Sequence, residues 1–156
     1  MKNRSITFLV FALLVTATAA FGQVKVDLKQ FKVVDVNGKQ ELVSTDKAKP
    51  GEVIEYVATY HNTGKTAVKN VVGTIPVPNG MEFTPEPTQK APDMAAASDG
   101  KFGPVPLKHK ALRNGVQVEE VLPYSAYRAL QWKIGTMAPD QKVELKARVK
   151  LAPLAK

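Results

Sequence analysis

The side chains best suited to chemistry in this sequence are cations, and they occur in two short stretches. In KVELKARVKL, residues 142 to 151, charged and apolar residues alternate with the period of a β-strand. The charged side chains therefore project from one face, where they could attract a polyanion through a salt-sensitive field. Lysines on an outer strand also serve to blunt an exposed sheet edge, which is the structural alternative. With a second basic run, KHKALR, the candidate polyanion-binding residues are Lys142, Lys146, Arg148, Lys150, Lys108, Lys110 and Arg113.

The residues that catalysis would need are few and scattered. The chain has no cysteine and two histidines, of which His61 falls on the outward phase of a strand. Nucleophilic catalysis requires a nucleophile, a base and an orienting group that converge. We therefore expect no enzyme, no catalytic residue, no cofactor and no metal site. A small hydrolase is kept as the second alternative, and its candidate carboxylates, in turns or edge segments, are Asp99, Glu119, Glu120 and Asp140.

The N-terminal segment has the organisation of a secretory signal peptide. Basic residues precede the apolar stretch ITFLVFALLV, and small residues follow it. The apolar stretch is about half of the ~20 residues that span a bilayer, which argues against a retained anchor. Cleavage is expected after Gly22 or, alternatively, after Ala19. Residues 1–22 are thus predicted to be the signal peptide, and residues 23–156 a single exported domain that is periplasmic, cell-surface or secreted.

Composition limits the classes of binding partner expected for the exported part of the chain. The chain carries a formal net charge of +8, which suits anionic partners. Nucleic acid is not expected, because the chain is exported and no aromatic ladder for base stacking accompanies the cations. Because the chain has no cysteine, no disulfide or thiolate metal site stabilises the fold, and the stability is expected to come from burial of apolar surface. After the signal peptide, no apolar stretch is long enough for a transmembrane segment.

The hydrophobic pattern of the remaining chain predicts short β-strands. In GEVIEYVATYHNTGK, four residues of one face (Ile54, Tyr56, Ala58 and Tyr60) are apolar, whereas the other face carries the polar residues Glu55, Thr59 and His61, which are expected to meet water. The segments 37–51 and 84–106 read as loops. Strands are predicted at residues 24–36 (an edge strand with a bulge near Lys29-Gln30), 52–61, 67–75, 81–83, 107–111, 116–122, 129–134 and 142–151.

The number and spacing of these strands predict the fold class. About seven to eight short strands separated by Gly, Pro and Asn turns are typical of an antiparallel β-sandwich with one core. A closed barrel is the structural alternative. The lone Trp132 is expected in the core, stacked against Tyr56 or Tyr60.

Several turn motifs in a fixed order resemble a known family. They are PGEVIEYVATYHNTG, NVV, PNGMEF and LQWKIGTMAPDQKVELKARV, with SDGKFGPVP between the last two. Together, over residues 31–151, they resemble the bacterial and archaeal surface-protein conserved repeat domain, known as domain of unknown function eleven. The matched positions are Pro50, Gly51, Tyr56, Asn62, Gly64, Pro78, Gly80, Trp132, Gly135 and Pro139.

The resemblance implies an immunoglobulin-like sandwich that is exported to the cell envelope, and it supplies no established active site. Two departures matter. Ile75 stands at a position where family members commonly have an acidic residue, which weakens the case for a cation site at that loop. The sequence also contains a single copy of the domain, so a long stalk built from many repeats is not implied. The leading hypothesis is an exported, non-catalytic, envelope-associated module with a structural or protein-interaction role. Its partner would be an envelope protein or an anionic envelope polymer, and the alternative is a polyanion- or glycan-binding protein that uses the basic strand face.

Overall fold

The computed structural model describes residues 23–45 and 47–152. The predicted signal peptide, residues 1–22, lies outside the described residues. Within the described ranges, no helix is long and apolar enough to cross a membrane.

Two antiparallel sheets pack face to face, and a two-stranded ribbon accompanies them. The first sheet has the order β2-β1-β3-β11-β5, the second has the order β4-β10-β6-β7, and β8 pairs with β9 in the ribbon. In chain order these strands are β1 (Val24–Val36), β2 (Lys39–Ser44), β3 (Val53–Asn62), β4 (Val68–Pro76), β5 (Met81–Phe83), β6 (Met94–Ala96), β7 (Phe102–Pro104), β8 (Lys108–Arg113), β9 (Val116–Val121), β10 (Ala129–Met137) and β11 (Lys142–Leu151).

The predicted all-β antiparallel sandwich is confirmed, and the arrangement is consistent with an immunoglobulin-like fold. All of the expected strands are present. Three further short strands, β2, β6 and β7, lie in segments that were expected to be loops. Asn37 and Gly38 both have positive φ, 54° and 78°, the conformation of a two-residue hairpin turn that returns the chain into β2. The second predicted loop contributes β6 and β7 to the second sheet.

β3 lies at the centre of the first sheet and is buried on both faces. Its inward residues Ile54, Tyr56, Ala58 and Tyr60 lie in the core, as the alternation predicted. The expectation that Glu55 meets water is wrong, because this residue is only 3% exposed. The outer face of β3 is covered by side chains from the segment between β5 and β6, which hydrogen-bond to groups on β3 and β11.

Trp132 on β10 is buried in the core, as expected, but its surroundings differ from the prediction. Its indole N–H donates to the carbonyl oxygen of Lys90 at 2.9 Å, which satisfies the one polar atom of the ring. The predicted stacking on Tyr56 or Tyr60 is not found in the described part of the chain. The aromatic contacts there join Phe83, Tyr124 and Tyr127.

Side chains of the first sheet pack closely against Gly73 of β4 in the second sheet. A Cβ atom at this position would overlap the end of the Leu145 side chain and lie 3.1 Å from the ring of Tyr60, so any larger residue would require Leu145 to move. Tyr60 also joins the sheets directly. Its hydroxyl donates to the carbonyl oxygen of Thr74 at 3.1 Å and accepts from the Thr74 N–H at 2.8 Å.

β1 runs without interruption. Its register against β3 is constant from Val24 to Lys32, so the predicted bulge near Lys29-Gln30 is wrong. The loss of alternation in the sequence instead reflects incomplete cover by the second sheet. Val26 and Leu28 are 56% and 46% exposed although they lie on the inward face of the sheet.

Glu52 ties the turn before β3 to β1. Its carboxylate accepts from Lys32 Nζ at 2.7 Å and from the Lys49 N–H at 2.9 Å. These two donors hold the pKa of Glu52 below its ordinary value of 4.5. A carboxylate with a lowered pKa in the folded state stabilises the fold above its unfolded pKa, and this contribution disappears as the pH falls through the folded pKa.

We therefore expect Glu52→Gln to reduce the acid sensitivity of the fold. The wild type should lose melting temperature between about pH 5 and pH 3, and the variant should lose less over the same range. Thermal melts followed by circular dichroism at half-unit pH steps measure this difference. Glu41→Gln, an exposed carboxylate on β2, is the control, and identical acid profiles for Glu52→Gln and wild type would contradict the prediction.

Candidate interaction site at a strand edge

Arg148 was predicted to be a surface cation, and this expectation is wrong. Its side chain is only 13% exposed because the segment between β5 and β6 covers it. Its Nε donates to Glu55 at 2.8 Å, and its Nη1 donates to Glu86 at 2.6 Å and to Gln40 at 2.8 Å. Gln89 also donates to Glu55 at 2.8 Å. This Arg148 cluster joins β2, β3, β11 and the covering segment, so it serves the fold.

The remaining cations of β11 are exposed but lie among carboxylates. Lys146 Nζ is 3.0 Å from Glu144 on the same strand. Lys150 lies opposite Glu82 of β5 in the strand register. Lys142 and Lys150 form no ion pair within the described ranges. β11 therefore presents a mixed surface in which the positive field is partly neutralised.

The second basic run lies on the ribbon, in a different sheet from β11. Lys108 pairs with Glu119 at 3.4 Å, and Arg113 pairs with Glu120 at 2.6 Å. Lys110 lies directly opposite Glu119. These exposed pairs connect the two strands of the ribbon, and they leave little uncompensated charge on it.

The carboxylates considered for a hydrolase each have a separate partner. Asp140 is 2.8 Å from His61 Nε2, and this contact lowers the pKa of Asp140. Asp99 accepts from a backbone N–H two residues along the chain. Glu119 and Glu120 point to opposite faces of β9, as their adjacent positions predicted. Among the described residues, no three His, Asp or Glu side chains are placed to hold a metal ion.

An apolar cleft beside the covering segment is too small for a typical ligand. It is lined by Phe83, Tyr124 and Trp132 among others and has a volume of about 90 Å³. Small-molecule sites usually occupy ~300–1,000 Å³ and contain converging polar groups. The cleft is therefore better explained as a packing gap next to the aromatic contacts.

Several strand edges have no neighbouring strand within the described residues, among them β2, β4 and the first part of β1. The edge of β1 is of interest because it belongs to a strand that is otherwise inside the first sheet. β1 pairs with β3 from Val24 to Lys32, but it pairs with β2 only from Phe31 to Val36. The segment 24–30 therefore has no neighbouring strand on its other side in the described part of the chain. We call this segment the β1 edge.

The main-chain groups of the β1 edge alternate in direction. The carbonyl oxygen of Gln23 accepts from the N–H of Thr63 at 2.7 Å. Because main-chain groups alternate in direction along a strand, the odd-numbered residues of β1 form the main-chain hydrogen bonds to β3. The even-numbered residues consequently direct their N–H and C=O groups away from the sheet. These outward-directed residues are Val24, Val26, Leu28 and Gln30.

The side chains of the β1 edge differ between its two faces. Val26 and Leu28 are exposed on the inward face, beyond the cover of the second sheet. Lys25, Asp27 and Lys29 lie on the outward face, where Lys29 Nζ is 3.5 Å from Asp27. A partner strand at this edge would meet apolar contacts on one face and charged contacts on the other.

The sequence predicted an edge strand at residues 24–36, but it did not predict that only residues 24–30 lie at an edge, although a signal for this was present. The Asn37-Gly38 pair predicts a hairpin, and the strand after it is only six residues long. The strand before it has thirteen residues. A two-residue hairpin turn sets the register of these strands, so the first part of β1 necessarily extends past the end of β2.

We compared the chain with protein-family models, with curated proteins and with solved structures, and none of them matches it. The resemblance to the surface-protein repeat domain stays a prediction. The fold and the β1 edge therefore carry the functional assignment.

Proposed function

We propose that the protein is an exported, non-catalytic module of the cell envelope that binds another protein through the β1 edge. The observation that carries this proposal is the segment 24–30 of β1, which has a partner strand on one side only among the residues that the structure describes. An extended partner segment can add to such an edge, where main-chain hydrogen bonds provide affinity and alternate side chains provide specificity.

The exposed apolar side chains support this role. Open sheet edges favour unwanted pairing, and proteins usually protect them with charges, bulges or covering loops. Here Lys25 and Lys29 lie on one face of the segment, whereas Val26 and Leu28 remain exposed on the other. An edge that keeps apolar contacts and regular strand geometry is suited to a specific partner.

The compartment and the absence of catalysis are further parts of the proposal. The N-terminal segment has the pattern of a signal peptide, and the family that the sequence resembles is found in surface proteins. The carboxylates that a hydrolase would use are engaged by separate partners and do not face one another. The polyanion alternative loses support because Arg148 is buried and several other candidate cations are ion-paired.

The proposal is tested by co-sedimentation of the purified protein with cell-envelope fractions of the source organism. Val26→Pro removes an outward-directed N–H at the edge while leaving the bonds of β1 to β3 in place. We expect this variant to lose envelope binding. Val26→Thr, which keeps both the N–H and the β-branched shape, should bind as wild type does.

Thermal melts of both variants show whether the fold is retained. Leu28→Lys provides a second test, because it changes a side chain of the edge and leaves every backbone group intact. Envelope binding by folded Val26→Pro and by Leu28→Lys at the wild-type level would contradict the proposal.

A further inference from the structure

We propose that the β1 edge also pairs with a second copy of this chain, antiparallel about a twofold axis at Val26. This inference goes beyond the proposed function and shares with it only the open β1 edge, for which a second copy of the chain would compete with an envelope protein. It follows from the geometry of the open segment and from the order of its charges.

The direction of the main-chain groups limits the possible registers. Two antiparallel edges form a ladder only when outward-directed residues of one strand lie opposite outward-directed residues of the other. A twofold axis at Val26 meets this condition. Val26 then faces Val26 of the partner subunit, and Val24 faces Leu28 of the partner subunit on either side of the axis.

The charges favour this register. With the axis at Val26, Lys25 lies directly opposite Asp27 of the partner subunit, and symmetry repeats this pair. Opposite charges facing each other across two strands stabilise the pairing, whereas like charges destabilise it. The dimer would therefore contain two complementary charge pairs on the outward face of the joined sheets.

Neighbouring registers are less favourable. An axis at Asp27 would place Asp27 against Asp27 of the partner subunit, and an axis at Lys25 would likewise oppose two lysines. An axis at Leu28 or beyond would bring the partner strand opposite Phe31, where Ser44 of β2 already pairs. A twofold register centred on Val26 opposes no like charges and does not overlap β2. It also leaves most residues of the β1 edge paired.

The apolar face points to the same arrangement. Val26 and Leu28 would each gain a cross-strand apolar neighbour, which covers surface that the second sheet leaves open. The two five-stranded sheets would become one continuous sheet, and the edge would be closed in both subunits. A twofold contact of this kind is self-limiting, so it yields a dimer and no fibre.

Sedimentation velocity of the protein expressed from the 156-residue sequence tests the inference. The contact is short, so we expect a monomer–dimer equilibrium with a dissociation constant on the order of micromolar. Measurements from about 1 to 500 µM cover this range. A protein that stays monomeric throughout would overturn the inference.

Charge variants test the register. Lys25→Asp places two carboxylates opposite each other, and we expect it to weaken the dimer by roughly tenfold or more. Adding Asp27→Lys restores opposite charges and should restore the dimer. Lys29→Asp is the matched control on the same face, because Lys29 lies opposite Gln23 of the partner subunit and should tolerate reversal. A double variant as weak as Lys25→Asp would overturn this register.

The two proposals fail in different ways. If the wild type is monomeric while Val26→Pro still abolishes envelope binding, the edge binds a different protein, so the self-pairing is wrong and the proposed function stands. If the wild type forms the predicted dimer while Val26→Pro loses only the dimer and keeps envelope binding, the self-pairing stands and the proposed function is wrong.

Discussion

Replacing Arg148 with methionine should lower the free energy of unfolding by about 3–5 kcal/mol. Methionine keeps much of the side-chain volume, but it leaves Glu55 and Glu86 without their cation. Glu55 is nearly fully buried, and its oxygen receives hydrogen bonds from Arg148 and Gln89. Removing one partner of a buried ion pair strands the other charge in a poorly solvated site, which explains the size of the effect.

Urea denaturation of the wild type and of two variants measures this cost. Lys146→Met is the matched control, because Lys146 lies on the same face of the same strand and its pair with Glu144 is exposed. Exposed pairs contribute at most about 1 kcal/mol, so this control should change stability little. A loss below about 1 kcal/mol for Arg148→Met would mean that the Arg148 cluster does not stabilise the fold.

The burial of Arg148 also affects how binding experiments are designed. Charge reversal at this residue would damage the fold, so lost envelope association in such a variant would report unfolding. Lys142 and Lys150 are exposed on the same strand and are the suitable positions for testing an electrostatic contact.

Asn62→Asp should also be strongly destabilising, by about 3–4 kcal/mol at neutral pH. Asn62 is fully buried at the end of β3. Its amide nitrogen donates to the carbonyl oxygens of Thr66, Met137 and Ala138 at 2.8–3.0 Å, and its Oδ1 accepts from the Gly64 N–H at 3.0 Å. Aspartate would place a carboxylate oxygen against the three carbonyl oxygens and would remove the amide donor that they share.

Asn37→Asp is the control for this substitution. Asn37 occupies an exposed hairpin turn with positive φ, where aspartate is also well tolerated. Chemical denaturation should place this control within about 0.5 kcal/mol of the wild type. Equal stability of the two variants would contradict the role assigned to the buried Asn62 amide.

The parts of the fold that could be predicted are those in which burial follows local alternation. β3, β10 and β11 each place alternate apolar side chains against the opposite sheet, so their sequences show the period of two. β2 could not be found in this way, because all six of its residues are exposed and no face is apolar. Only the turn residues Asn37 and Gly38 indicate it.

The errors at charged residues have a different cause. Alternation placed Glu55 and Arg148 on the same outward face, and the strand register agrees. It could not show that a segment more than thirty residues away from Glu55 in sequence covers that face, as the contact with Gln89 shows. The β1 edge is likewise a consequence of how far β2 extends, which depends on pairing between strands and not on the residues of the edge.

The most direct measurement of the proposed function is the envelope-bound fraction of wild type and Val26→Pro at about 0.05 M and about 1 M NaCl. Exposed charge contacts are screened at the higher concentration, whereas main-chain pairing and apolar contacts persist. We predict that the wild type stays bound at both concentrations and that Val26→Pro is unbound at both. Release of the wild type by salt, together with normal low-salt binding of Val26→Pro, would contradict the strand-edge role and would favour the exposed cations.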